Sequence, residues 1–190
     1  MATAAVDVRH FTREEYERLV EQGFFHPEER IELVDGVILE MTPQSSGHAA
    51  GVVFAQAALQ PLYRDGFHIR SQLPLALGLD SEPEPDLAVI PGPPGDYVAA
   101  HPQTAVLVLE VADSSLLHDR NSKASLYARA GIPEYWLLNL VDWSLEVGRT
   151  PLDGRYTSWT VLREGDSVSP LTHAAVAIPV ASLLPRPTMR

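Results

Sequence analysis

Cysteine is absent from the chain, which excludes disulfides, zinc–thiolate centres and cysteine nucleophiles. Lysine is nearly absent: Lys123 is the only one, and every other basic side chain, histidines aside, is arginine. No uncharged apolar run approaches the roughly 20 residues that span a bilayer. The opening MATAAVDVRH lacks the basic-then-apolar order of a secretory signal. These absences lead to the expectation of a cytoplasmic protein without a membrane segment. A basic stripe is missing too. With a net charge of −11, any nucleic-acid partner would need a local arginine cluster or bound divalent cations to offset its phosphates. There is no Gly-Lys of a Walker loop, no GxGxxG, no GxSxG and no HExxH, so nucleotide cradles, a hydrolase nucleophile elbow and a zincin site lack support.

What is present has the apolar and charged fractions of an ordinary globular protein. A chain of 190 residues reads most simply as a single domain over 1–190, able to bury about 70% of its unfolded surface. TREEYERLVEQ carries a capping box, Thr12 followed by Glu15, and predicts an N-terminal helix over 12–22. IELVDGVILEM places Asp35-Gly36 between two apolar runs, a hairpin signal. TPQSSG reads as a loop, and the apolar stretch from His48 to Pro61 as a helix. DLAVI and AVLVLEV are strands. A helix is expected from Asp119 to Ala130, capped by Gly131. EYWLLNLV is a strand, and SLEVGRT and RYTSWTVL flank a second Asp-Gly turn. The order implies an α/β (α+β) fold, a mixed sheet with helices packed against it. Its core would span about 29–140, with C-terminal strands over 141–185.

Two of these strands carry an acid in apolar surroundings. Asp86 opens DLAVI after Pro85, and Glu110 lies late in AVLVLEV. A charged carboxylate in a low-dielectric site is costly unless it is paired or ligates a metal. If the strands are neighbours, both acids converge at one end of the sheet, where two hard oxygen donors suit magnesium or manganese. Each acid alone could equally reach solvent or an arginine. Lys123 follows on the next helix, one turn beyond Asp119 and one turn before Tyr127. A compact lysine charge can orient a water or hold a phosphate oxygen, although a lone lysine is also what an arginine-favouring genome leaves. Paired carboxylates also serve glycoside hydrolysis, but no aromatic-rich groove accompanies them.

The segments EPDLAVI, LVLEVADSS, DRNSKASLYARAGIPEYWLL and RIELVDGVILEMTPQSSGH resemble the Uma-type putative restriction-endonuclease family, assigned to the PD-(D/E)XK nuclease superfamily. The resemblance runs from about Glu29 to Asn139 and is most specific over SLYARAGIPEYW. It implies a restriction-endonuclease-like core and a magnesium- or manganese-dependent DNA endonuclease, with DNA as partner; because one such site cuts one strand, a homodimer is expected. Asp86 takes the place of the motif aspartate and Glu110 that of the motif acid, with the Val111 carbonyl as a further metal ligand. The chain departs from the superfamily pattern where a lysine should follow two residues after the acid: Ala112 stands there, and Lys123 matches the family's displaced lysine. Glu32 matches an upstream acid that completes the metal site, and His48 a recurrent histidine.

Plainer roles stand beside these. Glu32 could pair with Arg30, His48 could satisfy backbone groups at its helix start, Asp119 could serve a helix N-terminus, and Tyr127 could simply pack. Arg64, Arg70, Arg120 and Arg129 are candidate phosphate contacts. The alternative from another class is a catalytically inactive, nuclease-like binding or regulatory module, which the displaced lysine and the acidic charge favour.

Overall fold

The computed structural model describes residues 8–185. The signal-sequence reading of the first ten residues therefore falls mostly outside the described part. Six strands form one mixed sheet: β3 (Phe67–Arg70), β4 (Leu87–Pro91), β5 (Leu107–Ala112), β6 (Glu134–Asn139), β7 (Ser144–Leu152) and β8 (Arg155–Arg163), adjacent in that order. All neighbours are antiparallel except β5 and β6, which are parallel and therefore need a crossover. A separate hairpin of β1 (Ile31–Val34) and β2 (Val37–Glu40) turns at Asp35-Gly36, as the sequence implies. The short pair β9 (Ser167–Val168) and β10 (Ile178–Pro179) closes the C-terminal part.

Side-chain alternation divides the strands cleanly between two cores. Leu87, Val89, Leu107, Leu109, Val111, Trp136 and Leu138 face one layer, which includes Val52, Ala55 and Leu59 of helix α2 (Ser46–Leu59). Gly51 lets α2 lie close to the sheet, because a Cβ there would stand 2.8 Å from Val111 Cγ1. Ala88, Ile90, Val108, Ala112, Tyr135 and Leu137 face the other layer, built from Leu75, Leu77, Val34 and the crossover helix. Glu110 lies between Val108 and Ala112 in this alternation, so its carboxylate enters the second layer.

The helix α1 (Arg13–Glu21) has the expected capping box, with both Thr12–Glu15 hydrogen bonds formed. Two helix starts differ from the sequence expectation. α2 begins at Ser46 rather than His48, because Ser45 is the N-cap and its Oγ accepts the His48 N–H at 3.1 Å. The crossover helix begins at Leu116, three residues before Asp119: α3 (Leu116–His118) passes through a π-turn at Asp119–Lys123 into α4 (Ala124–Arg129). Its start has no side-chain cap, so no capping residue marked it in the sequence. Gly131, at φ +73°, ends it as expected. Among the described residues no helix is long and apolar enough to cross a membrane.

Candidate active site

β4 and β5 are adjacent, and the two acids meet where β4 begins and β5 ends. The Asp86 backbone N–H donates to Glu110 Oε2 at 3.0 Å, and the Val111 N–H donates to Asp86 Oδ2 at 2.8 Å. Each carboxylate is thus tied to the backbone of the other strand, which fixes their mutual position. Both are almost fully buried.

Lys123 reaches them from the crossover. Its Nζ stands 3.2 Å from Glu110 Oε1 and 3.1 Å from Glu32 Oε2, with the lysine and both acids buried. Glu32 comes from β1 and is held further by the Glu84 N–H at 3.1 Å. It therefore pairs with Lys123; its ion pair is not with Arg30. The Tyr127 hydroxyl, one turn along the helix, donates to Glu110 Oε1 at 2.7 Å, so this side chain both packs and binds.

His48 does not satisfy its helix start, a task that Ser45 performs. Its Nε2 instead donates to Asp86 Oδ1 at 2.9 Å. Nor is Asp119 an N-terminal residue of the crossover helix, which starts earlier. It is buried, and its Oδ2 accepts a short hydrogen bond from Ser115 Oγ. Gln72, which nothing in the sequence marked, donates from Nε2 to Asp86 Oδ1 at 3.2 Å. It sits in a loop at φ +52°, a conformation that local composition did not announce.

Electrostatics follow from this packing. Burial alone would raise the Asp86 carboxyl, but His48, the Val111 N–H and Gln72 outweigh it and hold the group below its ordinary value. The same contact works in reverse on His48: burial opposes its charge, yet Asp86 holds its pKa above the usual imidazole value. Burial pushes Glu110 above the usual carboxylate range, while Lys123 pulls it back. Lys123 Nζ, the Tyr127 hydroxyl and the Asp86 N–H can all donate to Glu110, so their geometry suits its ionised form. Burial would lower Lys123, but Glu110 and Glu32 overcome it and keep the ammonium charged.

A cleft of about 530 Å³ opens over these residues. Glu32, Glu40, Glu84, Asp86, Glu110, Asp113 and Asp119 line it against only Arg30 and Lys123 as permanent cations. Among the described residues no group of three histidine, aspartate or glutamate side chains is arranged to hold a metal ion. The donor chemistry nevertheless fits a hard divalent cation held by two carboxylates, a backbone carbonyl and water. Val111 also lines the cleft, and the surplus of carboxylates leaves negative charge for such a cation to offset.

Two acids at the β4–β5 junction and a lysine returning from the crossover thus meet on one mixed sheet with helices packed against it. A solved structure described as a putative nuclease of DUF820 from Anabaena variabilis superposes with a TM-score of 0.67 at 16% identity, covering 91% of this chain and 97% of that one. Residues 13–181 match the family Uma2, described as a putative restriction endonuclease. The chain belongs to that family. No curated protein matches it.

Proposed function

We propose that the protein is a metal-dependent endodeoxyribonuclease, acting as a single domain, with Asp86 and Glu110 as the carboxylates that hold magnesium or manganese. The Val111 carbonyl is the backbone ligand, and Glu32 contributes directly or through water. The observation that carries this reading is the meeting of Lys123 with Glu110 and Glu32 beside Asp86, in a cleft with surplus negative charge. A naked phosphodiester would be repelled there, so a cation must accompany it.

The chemistry supplied by a bound cation is a lowered pKa for coordinated water and charge neutralisation at phosphorus. This chain's residues do the rest. Lys123 places its ammonium where it can orient the attacking water or a non-bridging phosphate oxygen. His48 and Gln72 hold Asp86 ionised and aligned, and Tyr127 fixes Glu110. Two copies, each cutting one strand, would make a double-strand cut, and sedimentation at micromolar concentration reads that association directly.

The test is nicking of plasmid DNA with magnesium or manganese. Lys123→Met, Asp86→Asn and Glu110→Gln are each expected to lose activity about 10²–10³-fold or more while remaining folded. Activity surviving all three changes removes the assignment. The inactive-module reading draws on the fact that Lys123 and Tyr127 already occupy Glu110. Manganese calorimetry separates the two: under the nuclease reading, binding is present and weakens in Asp86→Asn.

A further inference from the structure

The run from Leu116 to Arg129 is not a regular α-helix. In its π-turn the Ala124 N–H reaches the Asp119 carbonyl, five residues back. Such turns are rare, occur mostly singly within α-helices and cluster at functional sites. An α-helix advances about 100° per residue. Closing the π-turn to α geometry would therefore swing one side of the helix by about that angle, and Asp119 and Lys123 could no longer both enter the cleft.

Two contacts from outside hold the turn. The Tyr135 hydroxyl donates to the Asp119 carbonyl at 3.1 Å. More directionally, the Arg120 guanidinium donates through Nε at 3.1 Å to Glu146 Oε2 and through Nη2 to Oε1. Glu146 lies on β7 and is buried. It is fixed independently of Arg120, accepting from Asn139 Nδ2 at 2.9 Å and Trp159 Nε1 at 3.1 Å. Burying a carboxylate is expensive unless its hydrogen bonds are complete, as they are here.

The register explains the placement. Glu110 on β5 is opposite Leu137 on β6, and Leu137 is opposite Glu146 on β7. The two glutamates thus occupy one row of the sheet, two strands apart, or about 10 Å. The π-turn lies over that row, with Lys123 on one glutamate and Arg120 on the other.

We infer that Glu146, acting through Arg120, is a positioning residue that holds the π-turn open and so sets Lys123 between Glu110 and Glu32. The catalytic consequence rests on the nuclease reading, whereas the geometric consequence does not. Because Lys123 is the only lysine, its environment can be read without interference from any other.

The test is the rate of Lys123 acylation by an amine-reactive ester in metal-free protein, followed by the mass of its peptide. In wild type the buried ammonium is expected to react slowly. In Glu146→Gln and in Arg120→Gln it should react at least tenfold faster, with far-UV circular dichroism and cooperative unfolding retained. Arg129→Gln breaks the Arg129–Asp35 pair elsewhere on the same helix and should leave the rate at the wild-type value. Turnover on DNA should fall at least tenfold in the first two variants with KM little changed.

A wild-type acylation rate in folded Glu146→Gln and Arg120→Gln overturns the inference, and so does failure of both to fold, since the pair would then maintain the fold at large. If acylation accelerates but wild type cuts no DNA, the positioning role stands and the nuclease reading falls. If wild type cuts DNA and acylation is unmoved, only the positioning role falls.

Discussion

Lys123 is a buried cation whose nearest partners are two buried carboxylates, and removing it leaves both without their counter-ion. Breaking a buried pair from one side costs about 3–5 kcal/mol. Lys123→Met should therefore lower the urea midpoint markedly with little change in slope, and an unchanged midpoint would mean that the carboxylates find other partners. Of this cluster, Asp86, Glu110 and Lys123 were legible as chemistry-bearing residues because each sits oddly in its segment. Their meeting was not legible, since a gap of 13 residues says nothing about distance in space. His48 was marked only as a recurrent histidine of a resembling family, its bond to Asp86 had no signal in the sequence, and neither had Gln72.

At the scale of elements, α1 docks over the loop that carries Glu82. The Arg13 N–H bonds the Leu79 carbonyl, and Glu82 exchanges backbone hydrogen bonds with Leu33 of β1. Burial, with Glu17 of α1 close by, pushes the Glu82 carboxyl up to about 7. A raised carboxyl favours the fold while protonated. That stability is complete below the unfolded pKa near 4.5 and is lost as pH rises through about 7. Glu82→Gln should thus raise Tm by a few degrees at pH 8 and have almost no effect at pH 4, measured by thermal scans at both values. A gain of equal size at both pH values would count against this origin. α1 itself was readable because its capping box is local: Thr12 and Glu15 need nothing beyond their own turn. The π-turn was not readable, since its extra residue is held by Glu146 on a strand that comes later in the chain.

Across the whole molecule, the distribution of cations narrows the search for a DNA path under the proposed nuclease reading. Of the four arginines that composition offered as phosphate contacts, Arg120 is bound to Glu146 and Arg129 to Asp35. Arg70 has no carboxylate within ion-pair distance among the described residues; its Nη2 has only the Pro74 carbonyl at 3.5 Å and His101 Nδ1 at 3.4 Å. It lies on β3 opposite Ala88, on the sheet face that carries Asp86 and Glu110. If Arg70 meets a phosphate, Arg70→Gln should flatten the salt dependence of duplex binding by about one unit of log K per log salt. The measurement uses Lys123→Met as background, so that the DNA stays intact. An unchanged slope places the DNA elsewhere. The mixed sheet could be anticipated from the order of helical segments and apolar runs, but not the strand order, because pairing between distant segments leaves no mark on either.

The parallel pairing of β5 with β6 has a bearing on how the chain acquires its structure. Glu110, Lys123 and Tyr127 all belong to one strand–helix–strand unit between Leu107 and Asn139, which closes a short loop at small entropic cost. A glutamate destined for burial thus meets its counter-ion within the segment that buries it, before Glu32 or Asp86 need arrive. During synthesis the acid emerges first and its neutralising partner 13 residues later. The interval in which an uncompensated charge would obstruct collapse is therefore brief. Separating the two across the chain would lengthen that interval and slow folding, even if the finished site were identical.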